Sequence, residues 1–214
     1  MTTFFLHEQI YRDLGPAADR LITICGAGAV GANLAETLAR MGLKRLRVID
    51  RDRVEAHNLS TQPWQQQDVG APKARVLANM LYRAVGARVE PQAVELAEAN
   101  AAQLLAGSMV VVDAFDNIPS RQAVATAATA LGLPCLHVAL GGDGAYACGL
   151  WDGACAYQIP AASPVGVDGC DYPLTRSLVL LCATAGAEVL VRYLLDGSRQ
   201  GFDVTLRDLT LRLA

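Results

Sequence analysis

Lysine is nearly absent from this chain: of its 18 basic residues only Lys44 and Lys73 are lysines, and the rest are arginines. The basic residues form no block, and the formal net charge at pH 7 is −3. Because binding to a nucleic acid needs clustered cations that neutralise phosphates, this charge pattern argues against a nucleic-acid partner. The N-terminus lacks a basic flank leading into an apolar core, so we do not expect a signal peptide.

Cysteine pairs and histidine clusters are missing as well. The six cysteines form no C-x-x-C pair, and the histidines at positions 7, 57 and 137 are too scattered to suggest a metal cluster. Three of the cysteines lie in apolar runs and are expected to be small core residues: Cys25, Cys135 and Cys182. Since the 214 residues can build a core without disulfides, we expect reduced cysteines in a cytoplasmic protein.

Long apolar runs are also lacking. The longest stretch, residues 178–191, is interrupted by Glu188 and is too short to cross a bilayer, so we expect no membrane contact. The overall composition is nevertheless apolar, with 52% hydrophobic and only 18% charged residues. Surplus apolar surface of this kind commonly ends in a subunit interface, so the composition predicts a homodimer.

A glycine-rich turn between an apolar strand and a helix is the most informative stretch. Residues 21–31 read Leu-Ile-Thr-Ile-Cys-Gly-Ala-Gly-Ala-Val-Gly, so Gly26, Gly28 and Gly31 complete the pattern G-x-G-x-x-G. The first glycine allows a tight turn, the second lets a phosphate approach the backbone, and the third lets helix and strand pack closely. The helix start offers unpaired N–H groups and a positive dipole end, which together hold an anion. The next strand ends in Asp50, at the distance where an acid usually holds ribose hydroxyls. This predicts a nucleotide site; the alternative is a turn that only packs a βαβ unit.

The order of strands and helices predicts an α/β fold: a doubly wound, mostly parallel, Rossmann-like sheet with helices on both faces and an antiparallel extension at the C-terminus. Residues 1–20 are expected to form an amphipathic lead-in helix ending near Gly15-Pro16, and residues 21–214 a single domain. After the second strand, 46–50, we expect a helix from Pro72, an edge strand at 88–96, a buried strand at 108–115, a helix to Leu131 and a strand at 134–140. The C-terminal part is expected to contain a hairpin of strands 145–151 and 154–159, a buried helix at 174–195, and one or two strands in 202–213.

Two charged residues fit a nucleotide site in this fold. In a chain that otherwise uses arginine, Lys73 is a candidate partner of a phosphate chain, although it could equally be a helix-surface lysine. Asp116 follows an apolar strand at the mouth of the crevice, where a carboxylate beside phosphates calls for Mg²⁺ between them. Asn117 could take part in the site or simply cap the next helix.

Taken together, the motifs resemble those of the ThiF/MoeB/HesA adenylyltransferases, which share the adenylation fold of the ubiquitin-activating enzymes. The resemblance covers roughly residues 5–196. It rests on these motifs in this order: Gly26-Ala27-Gly28-Ala29-Val30-Gly31, Asp50-Arg51-Asp52, Asn58-Leu59, Gln62, Gly70-Ala71-Pro72-Lys73, and Asp116-Asn117 with Arg121.

The resemblance implies that residues 21–214 are an ATP-binding adenylation domain that uses Mg²⁺ to join a carboxylate to AMP with loss of pyrophosphate. The acceptor would be the C-terminus of a small ubiquitin-like or sulfur-carrier protein, or a small-molecule carboxylic acid. The implied nucleotide-binding residues are Gly26, Ala27, Gly28 and Gly31 under the phosphates, Asp50 on the ribose, Asn58, Gln62 and Lys73 at the phosphate chain, and also Asp52, Asp116 and Asn117. The implied catalytic residues are Lys73, Asp116 and Arg121, with Asp116 as the Mg²⁺ ligand.

Several positions depart from the family pattern. Thr61 stands where the family usually has an arginine, and the lead-in segment reads His7-Glu8-Gln9-Ile10 where the family carries an arginine that reaches the partner subunit's ATP. Arg12, Arg51 and Arg53 are candidate replacements. The family's two C-x-x-C pairs are absent, so we expect no zinc. Cys170 lies near where thioester-forming relatives place a cysteine, but it could equally be a loop residue.

Two other classes of function stay open. The glycine loop and Asp50 fit an NAD-dependent oxidoreductase equally well, although that fold gives Lys73 and Asp116 no obvious task. A non-catalytic dimeric nucleotide-binding module is the other alternative, suggested by Thr61 and Glu8 in place of the usual arginines.

Overall fold

The computed structural model describes residues 3–152 and 173–213, which contain one eight-stranded sheet and six α-helices. The strands are β1 (Ile22–Cys25), β2 (Arg45–Ile49), β3 (Arg88–Gln92), β4 (Val110–Asp113), β5 (Cys135–Leu140), β6 (Tyr146–Trp151), β7 (Phe202–Thr205) and β8 (Thr210–Leu213). The α-helices are α1 (Leu6–Tyr11), α2 (Ala29–Met41), α3 (Lys73–Val85), α4 (Glu98–Leu105), α5 (Ile118–Ala130) and α6 (Arg176–Asp196).

The strand order is β3-β2-β1-β4-β5-β6-β7-β8. Strands β1 to β5 pair in parallel, whereas β6, β7 and β8 add to the sheet in antiparallel pairs. This confirms the predicted doubly wound sheet with an antiparallel extension. Because β1 lies between β2 and β4, the direction of winding reverses at β1, and the carboxyl ends of these strands form the crevice where such sheets bind ligands.

The hydrophobic core lies on both faces of the sheet, because alternate residues of each strand point to opposite sides. Ile22 and Ile24 of β1 pack in the cluster that contains the buried residues of α2, α3 and α6. Cys25 and Val111 pack in the second cluster, with the apolar residues of α4 and α5. Burial on both faces explains why the parallel strands read as near-continuous apolar runs.

Helix α6 is the one helix of the described residues that is long and apolar enough to cross a membrane. In this fold 56% of its most apolar window is buried, and it packs against α2 and strands β5 to β7. These contacts identify α6 as a core helix, as its apolar residues on nearly all sides predict.

Three predicted boundaries are wrong. The edge strand predicted over 88–96 ends at Gln92, because Gln92 is in register with Ile49, where the neighbouring strand β2 ends. The lead-in helix is short: α1 ends at Tyr11, and Arg12 leaves it in an extended conformation with its guanidinium bound to Glu8 and Glu188. The strand predicted over 108–115 ends at Asp113, because the Asp113 carboxylate accepts the backbone N–H of Phe115 at 3.1 Å and turns the chain. The predicted second hairpin strand, 154–159, lies outside the described residues.

Candidate nucleotide-binding site

The glycine turn joins β1 to α2, and its three glycines have different tasks. Gly26 has a φ of 96°, and a Cβ added there would lie 2.9 Å from the carbonyl oxygen of Ala114. A Cβ added at Gly31 would lie 1.9 Å from the carbonyl oxygen of Gly26. A Cβ added at Gly28 would meet no atom of the described residues within 4 Å. Packing therefore requires Gly26 and Gly31, whereas Gly28 leaves the approach to the α2 N-terminus open for an anion.

Asp50 holds the turn in place from the end of β2. Its Oδ2 accepts the backbone N–H of Ala27 at 2.6 Å, and its Oδ1 accepts the backbone N–H of Asp52 at 2.7 Å. Burial raises the pKa of Asp50 above its usual value, although these two hydrogen bonds and the charge of Lys73 act in the opposite direction. Because each carboxylate oxygen can accept more than one hydrogen bond, Asp50 can also hold a ribose hydroxyl.

Lys73, the first residue of α3, lies beside the two aspartates that follow β2. Its Nζ is 3.5 Å from Oδ2 of Asp52, and its backbone N–H donates to the Asp52 carbonyl oxygen at 2.9 Å. Lys73 is only 7% exposed, whereas the Asp52 side chain is 57% exposed. A largely buried ammonium is therefore held next to Asp52 and acts on the charge of Asp50, and the surface-lysine interpretation of Lys73 is wrong.

Asn58 and Gln62 lie on and just after a 3-10 turn (Ala56–Ser60), and both are buried. The side-chain oxygen of Gln62 accepts the indole N–H of Trp64 at 2.6 Å, and that of Asn58 accepts the backbone N–H of Glu55 at 3.0 Å. Since an N–H group can only donate, these bonds fix the orientation of both amides. Both NH₂ groups remain without a protein acceptor among the described residues, and both are suitable donors to phosphate oxygens.

Asn33 joins this segment to α2. Its side-chain nitrogen donates to the carbonyl oxygens of Ala29, at 2.7 Å, and Thr61, at 2.9 Å. The turn that carries Asn58 and Gln62 is thus fixed to the first turns of the helix whose N-terminus forms the anion site. Nothing in the local sequence singles out Asn33, because its second acceptor is 28 residues away.

Asp116 lies in the turn between β4 and α5, which packs against the glycine turn through Ala114 and Phe115. It is exposed and forms no hydrogen bond or ion pair with the described residues. Asn117 caps α5, since its side-chain oxygen accepts the backbone N–H of Ser120 at 3.0 Å. The capping interpretation of Asn117 is therefore confirmed, and Asp116 is left as an available oxygen ligand at the crevice.

Arg121 belongs to a buried ionic network beside the crevice that the sequence did not reveal. Its guanidinium donates to Asp113 Oδ2 at 3.4 Å and to the Val138 carbonyl oxygen at 2.8 Å. Asp113 Oδ2 also lies 2.8 Å from Nδ1 of His137, and the Nε2 of His137 lies 2.6 Å from Asp152 Oδ1. Arg121 thus ties α5 to β4 and β5, and its catalytic role stays a prediction.

His137 lies between two carboxylates of this network. Burial alone would lower the pKa of His137, but hydrogen bonds with Asp113 and Asp152 outweigh burial and raise the pKa to about 11. Asp113 and His137 are register partners in the parallel pair β4–β5. A carboxylate and an imidazole inside two otherwise apolar strands are the signal that could have predicted this pair.

The three candidate replacement arginines already have partners within the chain. Arg12 bonds Glu8 at 2.8 Å and Glu188 at 2.7 Å with a side chain only 13% exposed. Arg51 pairs with Glu95 at 2.7 Å, and Arg53 donates to the Gly70 carbonyl oxygen at 2.6 Å. Because exposed pairs are weak, Arg51 and Arg53 can exchange partners, whereas Arg12 is fixed. Cys155 and Cys170 lie outside the described residues.

A parallel sheet with an open glycine turn, a ribose-type carboxylate and a lysine at one crevice defines a nucleotide-binding α/β protein. The chain belongs to the ThiF family, which it matches over residues 17–203. The family predicted from the motifs is therefore confirmed.

Two curated relatives and one solved structure illustrate the relationship. The chain is 38% identical over 140 residues to the sulfur carrier protein adenylyltransferase of Thermus thermophilus, covering 62% of this chain and 52% of that protein. It is 30% identical over 183 residues to the sulfur carrier protein ThiS adenylyltransferase of Bacillus subtilis, covering 80% and 54%. The structure of Escherichia coli tRNA N6-threonylcarbamoyladenosine dehydratase, TcdA, in complex with ATP has 28% identity and a TM-score of 0.62, over 66% of this chain and 60% of that one. The chain spans about half the length of the curated relatives it matches.

Proposed function

We propose that this protein is an adenylyltransferase that uses MgATP to activate a carboxylate as an acyl-adenylate and releases pyrophosphate. The observation that carries the proposal is the position of Asp50, which binds the glycine turn through Ala27 and lies beside Lys73. One carboxylate thus joins a ribose-binding position to an anion-binding turn and a buried cation. The relatives named as sulfur carrier protein adenylyltransferases support the same activity.

Each of these residues has a task in such a reaction. The open backbone at Gly28 accepts the phosphate chain, and the NH₂ groups of Asn58 and Gln62 donate to its oxygens. Lys73 neutralises charge as an acceptor carboxylate oxygen attacks the α-phosphorus and the bond to the pyrophosphate oxygen breaks. The pyrophosphate leaves with the electron pair of that bond. The attacking carboxylate is already ionised at neutral pH, so the protein need not supply a general base.

The residues at the crevice fit a magnesium ion. Mg²⁺ is bound through one or two carboxylates together with phosphate oxygens and water. Asp116 offers an exposed carboxylate with no partner among the described residues, and it lies in the turn that packs on the glycine loop. Bound there, Mg²⁺ would neutralise charge on the phosphate oxygens.

The test is carboxylate-dependent exchange of labelled pyrophosphate into ATP. Lys73→Met should lower the exchange rate by at least about 100-fold, the usual effect of losing one preorganised charged donor. Lys44→Met is the matched control, because the Lys44 ammonium lies 4.7 Å from the Phe5 ring and serves packing. Asp116→Ala should lose exchange in the same way, whereas Asp19→Ala, at another exposed aspartate, should not.

Two outcomes would favour the other classes of function. Binding of NAD without binding of ATP would favour an oxidoreductase. ATP binding without exchange for any carboxylate would favour a non-catalytic module, in line with Thr61 and with the commitment of Arg12 to Glu8 and Glu188. Wild-type exchange rates in both Lys73→Met and Asp116→Ala would overturn the assignment of the site.

The acceptor is proposed to be the C-terminal carboxylate of a small sulfur-carrier or ubiquitin-like protein, as in the names of the curated relatives. A small-molecule acid is the second candidate, because the sequence lacks the two C-x-x-C pairs that the family usually carries. Running the exchange assay with carrier proteins and with a panel of carboxylic acids separates the two.

A homodimer is proposed on the basis of the lead-in segment. Its apolar side chains are largely exposed: Phe4 is 67%, Ile10 75% and Tyr11 80% exposed. Helix α1 buries none of its residues within the chain. A second copy covering these residues would remove them from water, and light scattering on the purified protein measures the mass directly.

A further inference from the structure

A buried group of potential metal ligands lies where β5 meets the end of β6. Cys135 and His137 are two residues apart on β5 and face the same side, and Asp152 directly follows β6. The Asp152 backbone N–H donates to the Cys135 carbonyl oxygen at 2.9 Å, which fixes the two chain segments to each other. One sulfur, one nitrogen and one oxygen from these three side chains lie within 4.8 Å of one another.

The imidazole ring of His137 is oriented by a carboxylate on one nitrogen, as is usual for a histidine that binds a metal through the other nitrogen. Its Nδ1 is 2.8 Å from Asp113 Oδ2, so its Nε2 faces Asp152. A carboxylate that holds the far nitrogen of a histidine ring is the usual support of a metal-bound imidazole. Asp113 in turn bonds Arg121, so the supporting carboxylate is itself fixed.

Asp152 supplies an independent observation. Its Oδ2 is buried and has no hydrogen-bond partner among the described residues. A buried carboxylate oxygen without a partner is costly, because it has lost its hydration without compensation. A cation at this position would give that oxygen a partner.

We propose that Cys135, His137 and Asp152 bind one Zn²⁺ ion, with the fourth position open to water. Thiolate, imidazole and carboxylate are the ligands that zinc accepts, at about 2.0 to 2.3 Å. Binding requires the thiolate of Cys135 and an unprotonated Nε2 on His137, so the thiol proton and any proton on Nε2 pass to solvent as the ion enters. The hydrogen bond between Nε2 and Asp152 Oδ1 opens to admit the ion.

This site is distinct from the crevice and from the C-x-x-C pairs that the sequence lacks. It joins the parallel part of the sheet to its antiparallel extension, so zinc there has a structural task. The sequence predicts no zinc and no histidine cluster, because the ligands come from neighbouring strands and not from a short motif.

The test uses the full chain, stripped with a chelator and loaded with Co²⁺ as a spectroscopic substitute for Zn²⁺. We expect one equivalent to produce visible bands of a tetrahedral site and a thiolate-to-cobalt charge-transfer band in the near ultraviolet. Cys135→Ala should remove the charge-transfer band, whereas Cys182→Ala, at an equally buried cysteine in α6, should keep it.

A conservative variant keeps the proposal testable if Cys135→Ala does not fold. Asp152→Asn removes a ligand and should weaken zinc affinity by well over tenfold. Asp113→Asn, measured on its folded fraction, removes the support of His137 and should weaken zinc affinity by about 10- to 100-fold. Failure of the wild-type protein to bind Co²⁺ or Zn²⁺, or a charge-transfer band that survives in Cys135→Ala, would overturn the proposal. Unchanged zinc affinity in Asp152→Asn would do the same.

Discussion

The two glycines on either side of the α2 N-terminus allow nucleotide binding to be separated from folding. Adding one methyl group at Gly31 places a Cβ 1.9 Å from the Gly26 carbonyl oxygen, whereas the same methyl at Gly28 meets no described atom within 4 Å. Gly31→Ala should therefore damage the fold. Gly28→Ala should leave the fold intact and obstruct the phosphate chain.

The cost at Gly31 follows from the contact. The added carbon would be about 1.5 Å short of ordinary van der Waals distance, and both sides of the contact are backbone, so α2 must move away from β1. Overpacking usually costs about 1–3 kcal/mol, and more where the backbone must shift. Replacing glycine by alanine within a helix stabilises the protein by about 1 kcal/mol, which offsets part of that cost. We expect a net loss of at least about 2 kcal/mol, which lowers the Tm of a chain of this size by at least about 4 °C.

The cost at Gly28 is of another kind. Gly28 is the N-cap of α2 with a φ of −79°, which alanine adopts freely, so only the cap preference is lost, about 0.5–1 kcal/mol. The affinity for MgATP should fall at least tenfold, which corresponds to about 1.4 kcal/mol, because the methyl lies between the phosphate and the helix N-terminus.

Calorimetric titration with MgATP and thermal unfolding of the same preparations measure both effects. Wild-type affinity in a folded Gly28→Ala protein would refute phosphate binding at the glycine turn. An unchanged Tm in Gly31→Ala would refute the packing argument, whether or not the affinity for MgATP changes.

Three further predictions concern the buried network and the lead-in segment. Asp113→Asn should lower the free energy of unfolding in urea by about 3–5 kcal/mol because it removes the buried carboxylate that both Arg121 and His137 contact, whereas exposed Asp116→Asn should change it by less than about 0.5 kcal/mol. Because the pKa of His137 is raised from 6.5 to about 11, its stabilisation is complete below about pH 6.5 and is lost as the pH rises through about 11. The free energy of unfolding of chelator-treated wild-type protein should therefore fall more steeply between about pH 7 and about pH 10 than that of His137→Gln. If the free energies of the two proteins fall in parallel with pH, the prediction is contradicted. Ile10→Glu should halve the mass measured by light scattering. Tyr82→Glu, at a similarly exposed residue of α3, should leave the mass unchanged. An unaltered mass in both variants would exclude the lead-in segment from the dimer interface.

The sequence predicts the glycine turn and the ends of α2 well because their determinants are local. Gly28 and Gly42 bound the helix, and Gly42 has a φ of 107°, a conformation that few other residues adopt without strain. Asp50 was predictable for the same reason, since one strand and one helix separate it from the turn it binds.

The buried network was not predictable in this way. Asp113 reads as one polar residue inside an apolar run, and His137 as one histidine among three scattered ones. Only the register of β4 against β5 makes them neighbours, and register is a property of the assembled sheet. The length of the lead-in helix depends similarly on Glu188, 176 residues further along the chain, which binds Arg12.

The charges at the crevice favour a nucleotide that arrives with a metal ion. At the edge of the sheet that carries Asp50, Asp52 and Asp116, the cations are Lys73, Arg51 and Arg53, so the charges there balance. A triphosphate gains no net attraction from this balance unless a divalent cation accompanies it, whereas the neutral N–H groups of a helix start suffice for the two phosphates of a dinucleotide. An exposed aspartate at position 116 would hinder binding of NAD and help binding of MgATP. The unpartnered carboxylate of Asp116 among the described residues, and not the glycine turn alone, therefore supports adenylate chemistry over hydride transfer.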